Sequence, residues 1–117
     1  MVVAVLRYMS PLISIIIPTY NRVQYVTRAI AAIQEQAFTD WELIVVDDAS
    51  TDDSRRLIAD CAAGDSRLVP LDLPVNAGPG AARNRALDIA RGTWIAVIDS
   101  DDLFHPRRLE RLVGRAE

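Results

Sequence analysis

The sequence predicts an α/β fold in which an open parallel sheet of about four strands carries helices on both faces. Four apolar runs rich in β-branched residues each precede a segment whose apolar residues recur at three and four positions, the spacing of one helical face. Such alternation is typical of right-handed crossovers and therefore of a parallel, Rossmann-like sheet. The last run, 94–98, contains no polar residue, which indicates a strand covered on both faces.

The first strand is predicted over 12–17, which contains four isoleucines. It is expected to stop at Pro18, because proline has no N–H group to donate to a sheet ladder. A helix follows over about 23–36, since apolar residues at 26, 29, 30, 33 and 37 share one helical face.

The second strand is predicted over 41–46 and ends in the acidic pair Asp47 and Asp48. The next helix has a candidate N-terminal signal, because Ser50 followed by Asp53 resembles a capping box with aspartate in place of glutamate. We therefore expect these two side chains to cap the second helix.

The third strand, 67–71, contains Pro70, which favours an edge position in the sheet. A glycine-bearing loop over 76–84 runs into the third helix, and a last helix is predicted over about 106–115. The residues expected to face inward from these two helices are Ala82, Ala86, Ile89, Ala90, Leu109, Leu112 and Val113.

Composition limits the chemistry that the chain can perform. Its 117 residues suit one domain, and a net charge of -3 argues against nucleic acid or an anionic membrane as the main partner. All thirteen basic residues are arginine, which excludes a lysine nucleophile or Schiff base. The single cysteine, Cys61, and the single histidine, His105, exclude an internal disulfide, a thiolate metal cluster and any site that needs two histidines.

Three carboxylates, Asp99, Asp101 and Asp102, lie at the predicted carboxyl end of the fourth strand. Like charges this close repel, so the cluster favours a hard cation or a ligand that donates hydrogen bonds. Asp99 and Asp101 are two residues apart and point to the same side while the chain stays extended. The alternative is an acidic loop that caps the next helix, for which Pro106 would suit the first turn.

The carboxyl ends of parallel strands meet at one edge, so Tyr20, Asp48, the loop after Asn76 and the acidic cluster should gather there. This combination suits a nucleotide diphosphate: Tyr20 offers a packing wall, Asp48 an acceptor for a base N–H, Arg83 a phosphate contact and Asp101 a ligand for a bridging divalent metal. Each residue alone also has a plain structural explanation, as core cover, turn cap or solvated charge.

Four segments resemble the nucleotide-binding half of family 2 glycosyltransferases of the GT-A fold, in the order of that family and over about 12–109. They are Ile-Ser-Ile-Ile-Ile-Pro-Thr-Tyr-Asn-Arg, Trp-Glu-Leu-Ile-Val-Val-Asp-Asp-Ala-Ser-Thr-Asp, the Asn-x-Gly loop with Ala-Arg-Asn, and Gly-Thr-Trp-Ile-Ala-Val-Ile-Asp-Ser-Asp-Asp.

The resemblance implies transfer of a sugar, usually with inversion, from a nucleotide-diphosphate donor to an acceptor hydroxyl, with a UDP-sugar favoured and Mn or Mg as cofactor. It implies that 11–117 is the nucleotide-sugar-binding half of a truncated GT-A domain, after an N-terminal extension over 1–10. The acceptor half and the catalytic base are expected beyond Glu117, so the chain alone is expected to be inactive. The implied metal ligands are Asp99 and Asp101. The implied nucleotide-sugar-binding residues are Pro18, Thr19, Tyr20, Arg22, Asp48, Arg83, Asp99, Ser100 and Asp101.

Other interpretations fit less well. A haloacid-dehalogenase-like phosphatase usually places its Asp-x-Asp on the first strand and has a lysine later, whereas here the motif follows the fourth strand and lysine is absent. A receiver domain would explain Asp47 and Asp48 but also needs a lysine. A dinucleotide-binding loop lacks its third glycine after Gly78 and Gly80. A non-catalytic nucleotide-sugar-binding or assembly module stays open. A cytoplasmic location is expected, and membrane association of a longer parent protein stays open. Apolar surface exposed by truncation is expected to favour a homo-oligomer.

Overall fold

The computed structural model describes residues 10–100 and 106–116, over which strands and helices alternate along the chain. The strands in this part are β1 (Ile13–Thr19), β2 (Trp41–Asp47), β3 (Leu68–Asp72) and β4 (Trp94–Val97). The helices are α1 (Val23–Gln34), α2 (Ser54–Gly64), α3 (Pro79–Ile89) and α4 (Arg108–Ala116). All strand pairs are parallel and the order is β3-β2-β1-β4, so the predicted fold class is confirmed, as is the edge position of β3.

The apolar core is divided between the two faces of the sheet. Successive residues of a strand point to opposite faces, so Ile15 and Ile17 join the cluster that contains α1, α2 and α4, whereas Ile16 joins the cluster under α3. Ala82 and Ala86 are the buried residues of α3, and their small side chains let that helix lie close to the sheet. Helices therefore cover both faces, as the sequence predicts.

Strand β1 continues through Pro18 to Thr19, so the prediction that Pro18 stops it is wrong. Successive residues of a strand in a parallel ladder address alternate neighbours. Ile16 accepts the amide of Ile98 on the β4 side, so Pro18 faces that side too, where the pairing with β4 has already ended at Val97. The missing N–H of Pro18 therefore leaves the pairing of β1 with β2 intact, which continues through Pro18 and Thr19.

Two further details differ from prediction. Helix α1 ends at Gln34, two residues earlier than expected. Helix α2 begins at Ser54 without a side-chain cap from Asp53, and the Ser50 hydroxyl instead accepts the backbone amide of Asn21 at 2.9 Å. The predicted capping box is therefore wrong. Ser50 instead forms a contact between loops that the local sequence does not reveal.

Strand β4 is an edge strand, which corrects the prediction that it is covered on both faces. β4 pairs only with β1 in the described part of the chain, and Trp94, Ile95 and Val97 are 42%, 43% and 46% exposed. Ile89 and Leu112, which were expected to face inward, are also exposed, whereas Leu109 and Val113 are buried as predicted.

We expect the isolated chain to self-associate through the β4 edge. The opposite edge, β3, carries Pro70 and Asp72, which discourage strand pairing, whereas β4 has neither proline nor charge. Sedimentation velocity should show a sedimentation coefficient that rises with concentration, and replacing Ile95 and Val97 together with threonine should remove that rise. Val75→Thr, an exposed position away from this edge, is the matched control. A concentration-independent monomer would contradict the expectation.

A buried polar network joins the amino ends of β1 and β2 to the turn before β4. The Ser14 hydroxyl donates to Glu42 Oε2 at 2.5 Å and accepts the Gly92 amide at 2.8 Å, while the Arg91 amide donates to the same Glu42 oxygen at 2.7 Å. Burial opposes ionisation of Glu42, but the hydrogen bonds from Ser14 and Arg91 and the charge of Arg91 outweigh it and lower the pKa of Glu42. The carboxylate therefore stays charged at neutral pH and fixes the start of β4.

No helix within 10–100 and 106–116 is long and apolar enough to cross a membrane. The predicted division into an extension over 1–10 and a single unit over 11–117 stays a prediction, as does the cytoplasmic location.

Candidate functional site

A cleft of about 350 Å³ opens at the carboxyl ends of β1 and β2, where it is bordered by the start of α3 and the residues that follow β4. The convergence predicted from the parallel strands is therefore present in the described residues. The cleft brings together seven of the nine predicted nucleotide-sugar-binding residues and one residue of the predicted loop that was not among those nine. The lining residues are Pro18, Thr19, Tyr20, Arg22, Asp48, Asp99 and Ser100, with Pro79 as the addition.

The other two predicted residues do not line the cleft. Arg83 is exposed on α3 and is not among the lining residues, so its contact with a phosphate stays a prediction. Asp101 lies outside the described residues, together with Asp102 and His105. The predicted pairing of Asp99 with Asp101 at one metal is therefore not visible in the described part of the chain.

Asn21 fixes the turn that carries two of the lining residues, Tyr20 and Arg22. Its side-chain oxygen accepts the amide of Thr51 at 2.8 Å and that of Asp52 at 3.3 Å, which ties the turn after β1 to the loop after β2. Asn21 has a φ of 49°, a left-handed conformation that asparagine adopts more readily than most residues. The neighbours of Asn21 in sequence, Tyr20 and Arg22, are exposed and line the cleft.

Thr19 supplies a buried hydroxyl to the same cleft. The side chain is almost fully buried, and its Oγ1 has no hydrogen-bond partner among the described residues. A buried hydroxyl without a partner costs about 1–3 kcal/mol. A ligand or water that enters the cleft would relieve this cost by pairing with Thr19.

Asp48 organises the loop that precedes α3. Its Oδ1 accepts the Ala77 amide at 2.8 Å, its Oδ2 accepts the Gly78 amide at 2.9 Å, and its backbone carbonyl accepts Asn76 Nδ2 at 3.1 Å. Gly78 has a φ of 92°, a conformation that favours glycine, at the N-cap of α3. Each carboxylate oxygen keeps a second lone pair, so Asp48 retains capacity for the predicted bond from a base N–H.

Asp47 has a different role from Asp48, and the sequence did not indicate this difference. Its side chain is fully buried, and its Oδ2 accepts the Ser50 amide at 2.9 Å and Arg55 Nε at 2.8 Å. The hydrogen bond and charge of Asp47 raise the pKa of Arg55 above its ordinary value, so the guanidinium is permanently charged. Nothing in the local sequence distinguishes Arg55 from an exposed arginine on a helix.

The oxygen donors at the cleft suit a hard divalent cation. Asp99 contributes a carboxylate and Ser100 a hydroxyl, and both are ligand types that Mg²⁺ and Mn²⁺ prefer over nitrogen or sulfur. Within the described ranges, no three His, Cys, Asp or Glu side chains form a group that could hold a metal. Asp99 and Ser100 are donors that such a cation accepts, whereas Asp101 lies outside those ranges, so a metal held by Asp99 and Asp101 stays a prediction.

Comparison with known proteins gives a consistent picture. The family model for Glycosyl transferase family 2 matches residues 14–117. UDP-Glc:alpha-D-GlcNAc-diphosphoundecaprenol beta-1,3-glucosyltransferase WfgD of Escherichia coli is 38% identical over 103 residues, which cover 88% of this chain and 40% of WfgD.

Two solved structures share the fold. TarS 1-349 of S. aureus in complex with UDP-GlcNAc is 33% identical with a TM-score of 0.80, covering 87% of this chain and 30% of that one. The mannosyltransferase PcManGT of Pyrobaculum calidifontis, in complex with GDP-Man and Mn2+, is 29% identical with a TM-score of 0.75, covering 81% of this chain and 29% of that one. The chain spans less than half the length of the curated relatives that it matches.

Proposed function

This chain belongs to glycosyl transferase family 2, and we propose that it forms the donor-binding part of an enzyme that transfers a sugar from a nucleotide-diphosphate sugar to an acceptor hydroxyl. The observation that carries the proposal is the cleft, which unites the ends of three strands with the loop before α3. Apolar, aromatic and carboxylate groups there match the chemically mixed surface of a nucleotide diphosphate. We expect inversion at the anomeric carbon, as the resemblance to family 2 glycosyltransferases implies.

The nucleoside end of the donor is assigned to the β1 side of the cleft. Tyr20 offers an exposed ring against which a base can pack, and Thr19 offers an unpaired hydroxyl to a polar group of the base or ribose. Asp48 lies beside them and accepts from an N–H of the base. A UDP-sugar is the favoured donor, supported by the uridine nucleotide named for TarS and WfgD.

The diphosphate end is assigned to Asp99, Ser100 and Asp101, which would hold Mn or Mg. When bound, such a cation neutralises the charge that develops on a departing diphosphate. The oxygen donors at the cleft support this assignment, and Mn2+ is present in the PcManGT complex. The general base that takes the acceptor proton is assigned to no described residue, in keeping with a donor-binding part.

Calorimetric titration with UDP, with and without Mn²⁺, tests the proposal. The unaltered chain should bind UDP about tenfold more tightly with the metal, a difference of about 1.4 kcal/mol. Asp101→Ala should remove that difference, because it deletes a metal ligand, whereas Asp88→Ala, at an exposed position on α3, should keep it. An unchanged response to Mn²⁺ in Asp101→Ala would remove the metal role from that residue. Failure of the unaltered chain to bind any nucleotide diphosphate would overturn the function itself.

A further inference from the structure

We propose that Arg55 is a positioning residue whose ion pair with Asp47 fixes the loop over 73–78 and thereby the shape of the cleft. The contacts that define this role are independent of any ligand. Only the expected effect on donor binding rests on the proposed function.

The first end of the loop is held by Asp47 and Arg55 together. Arg55 Nε donates to Asp47 Oδ2 at 2.8 Å, and a terminal nitrogen of the same guanidinium donates to the Leu73 carbonyl. The Leu73 amide donates to the Asp47 carbonyl at 2.9 Å. Both backbone groups of Leu73 are therefore tied to Asp47, one directly and the other through Arg55.

The second end of the loop is held by Asp48, the next residue along β2. The Ala77 and Gly78 amides donate to its two carboxylate oxygens, and Gly78 leads directly into Pro79, a wall of the cleft. The loop over 73–78 therefore spans two anchors that are adjacent in sequence. A shift at Leu73 changes the path of the few residues that reach Ala77, and so changes how Pro79 and Asp48 face the ligand.

The environment of Asp47 gives Arg55 this role rather than that of an incidental surface charge. The Asp47 side chain is fully buried and that of Arg55 is 39% exposed, so the pair is shielded from solvent far more than a surface pair. The neighbouring pair of Arg56 and Asp53 is separated by 3.4 Å, with side chains 68% and 72% exposed, and is screened by water. Arg56 therefore serves as a matched control at the adjacent position.

The planar guanidinium is suited to this double contact. It directs separate N–H groups at the Asp47 carboxylate and the Leu73 carbonyl, whereas a lysine ammonium at the same position is a single point charge on a flexible stem. Arg55→Lys therefore keeps the charge opposite Asp47 but loses the fixed fork. Comparing lysine with glutamine at 55 separates charge compensation from positioning.

Amide hydrogen exchange without nucleotide tests the role directly. Arg55→Gln should lower the protection of the Ala77 and Gly78 amides about tenfold through local opening of the loop, while amides in β1 keep theirs. Arg55→Lys should lose the same protection at these two amides, but its thermal midpoint should lie nearer to that of the unaltered chain than the midpoint of Arg55→Gln does. Arg56→Gln should change neither the protection nor the thermal midpoint. Unchanged protection of the loop in Arg55→Gln would overturn the proposal. An equal loss in the loop and in β1 would also overturn it, because that pattern marks general destabilisation.

A second measurement connects the loop to the ligand. Arg55→Gln should weaken UDP binding about fivefold, which is about 1 kcal/mol, with no change for Arg56→Gln. Unchanged UDP affinity despite a loosened loop would overturn the link between loop and cleft. Failure of the unaltered chain to bind any nucleotide diphosphate would instead refute the proposed function, and the exchange data would still decide the role of Arg55.

Discussion

Replacing Gly92 with alanine is expected to lower the free energy of unfolding by about 3 kcal/mol or more, since overpacking and loss of buried hydrogen bonds act together. A Cβ at this position would stand 2.5 Å from the Ser14 nitrogen and 2.8 Å from the carbonyl carbon of Ile13. These are backbone atoms of β1, a central strand, and cannot move aside as a flexible side chain does. The new carbon would also stand 2.7 Å from Ser14 Oγ, which bridges Gly92 to the buried Glu42.

Urea denaturation measures this effect. Gly64→Ala is the matched control, because a Cβ there meets nothing within 4 Å, and its unfolding free energy should change by no more than about 0.5–1 kcal/mol. A Gly92→Ala variant as stable as the unaltered chain would show that the turn before β4 moves away from β1 without cost. In that case Glu42 and Ser14 would not fix the start of the strand.

The central strands are predictable because their burial follows from their own composition. Both β1 and β2 carry almost continuous apolar runs, and each is flanked by other strands in the sheet. Strand β4 has an equally apolar sequence, but its exposure depends on which elements cover it, and local composition does not determine that. The same limit explains why Pro18 was expected to end β1: the effect of its missing N–H depends on which neighbouring strand it faces, and the local sequence does not give that.

The candidate site also contains residues that the sequence could predict and residues that it could not. Thr19, Tyr20, Asp48 and Asp99 could be located from sequence because parallel strands direct their carboxyl ends to one edge, whatever the details of packing. The contacts of Arg55 could not be predicted from the sequence, because its partners lie eight residues before it and eighteen residues after it. Such contacts between loops are fixed by the assembled sheet and leave no periodic pattern in the sequence.

Replacing Asp48 with asparagine is expected to weaken UDP binding by about tenfold or more and to lower the free energy of unfolding by about 1–3 kcal/mol. The change keeps the size of the side chain but turns one acceptor oxygen into an NH₂ group. That group would face the backbone amide of Ala77 or Gly78, donor against donor, in a largely buried position. The loop before α3 would lose one of its anchors, and the cleft would lose an acceptor for the base.

Calorimetry with UDP and urea denaturation measure the two effects of Asp48→Asn separately. Asp88→Asn, which makes the same chemical change at an exposed position on α3, should alter neither quantity. Unchanged UDP affinity in Asp48→Asn would mean that the carboxylate neither contacts the nucleotide nor shapes its site. Combining Asp48→Asn with Arg55→Gln provides a sharper test, because both changes release the same loop. Their combined loss of UDP affinity should therefore fall short of the sum of the single losses, whereas independent sites would add.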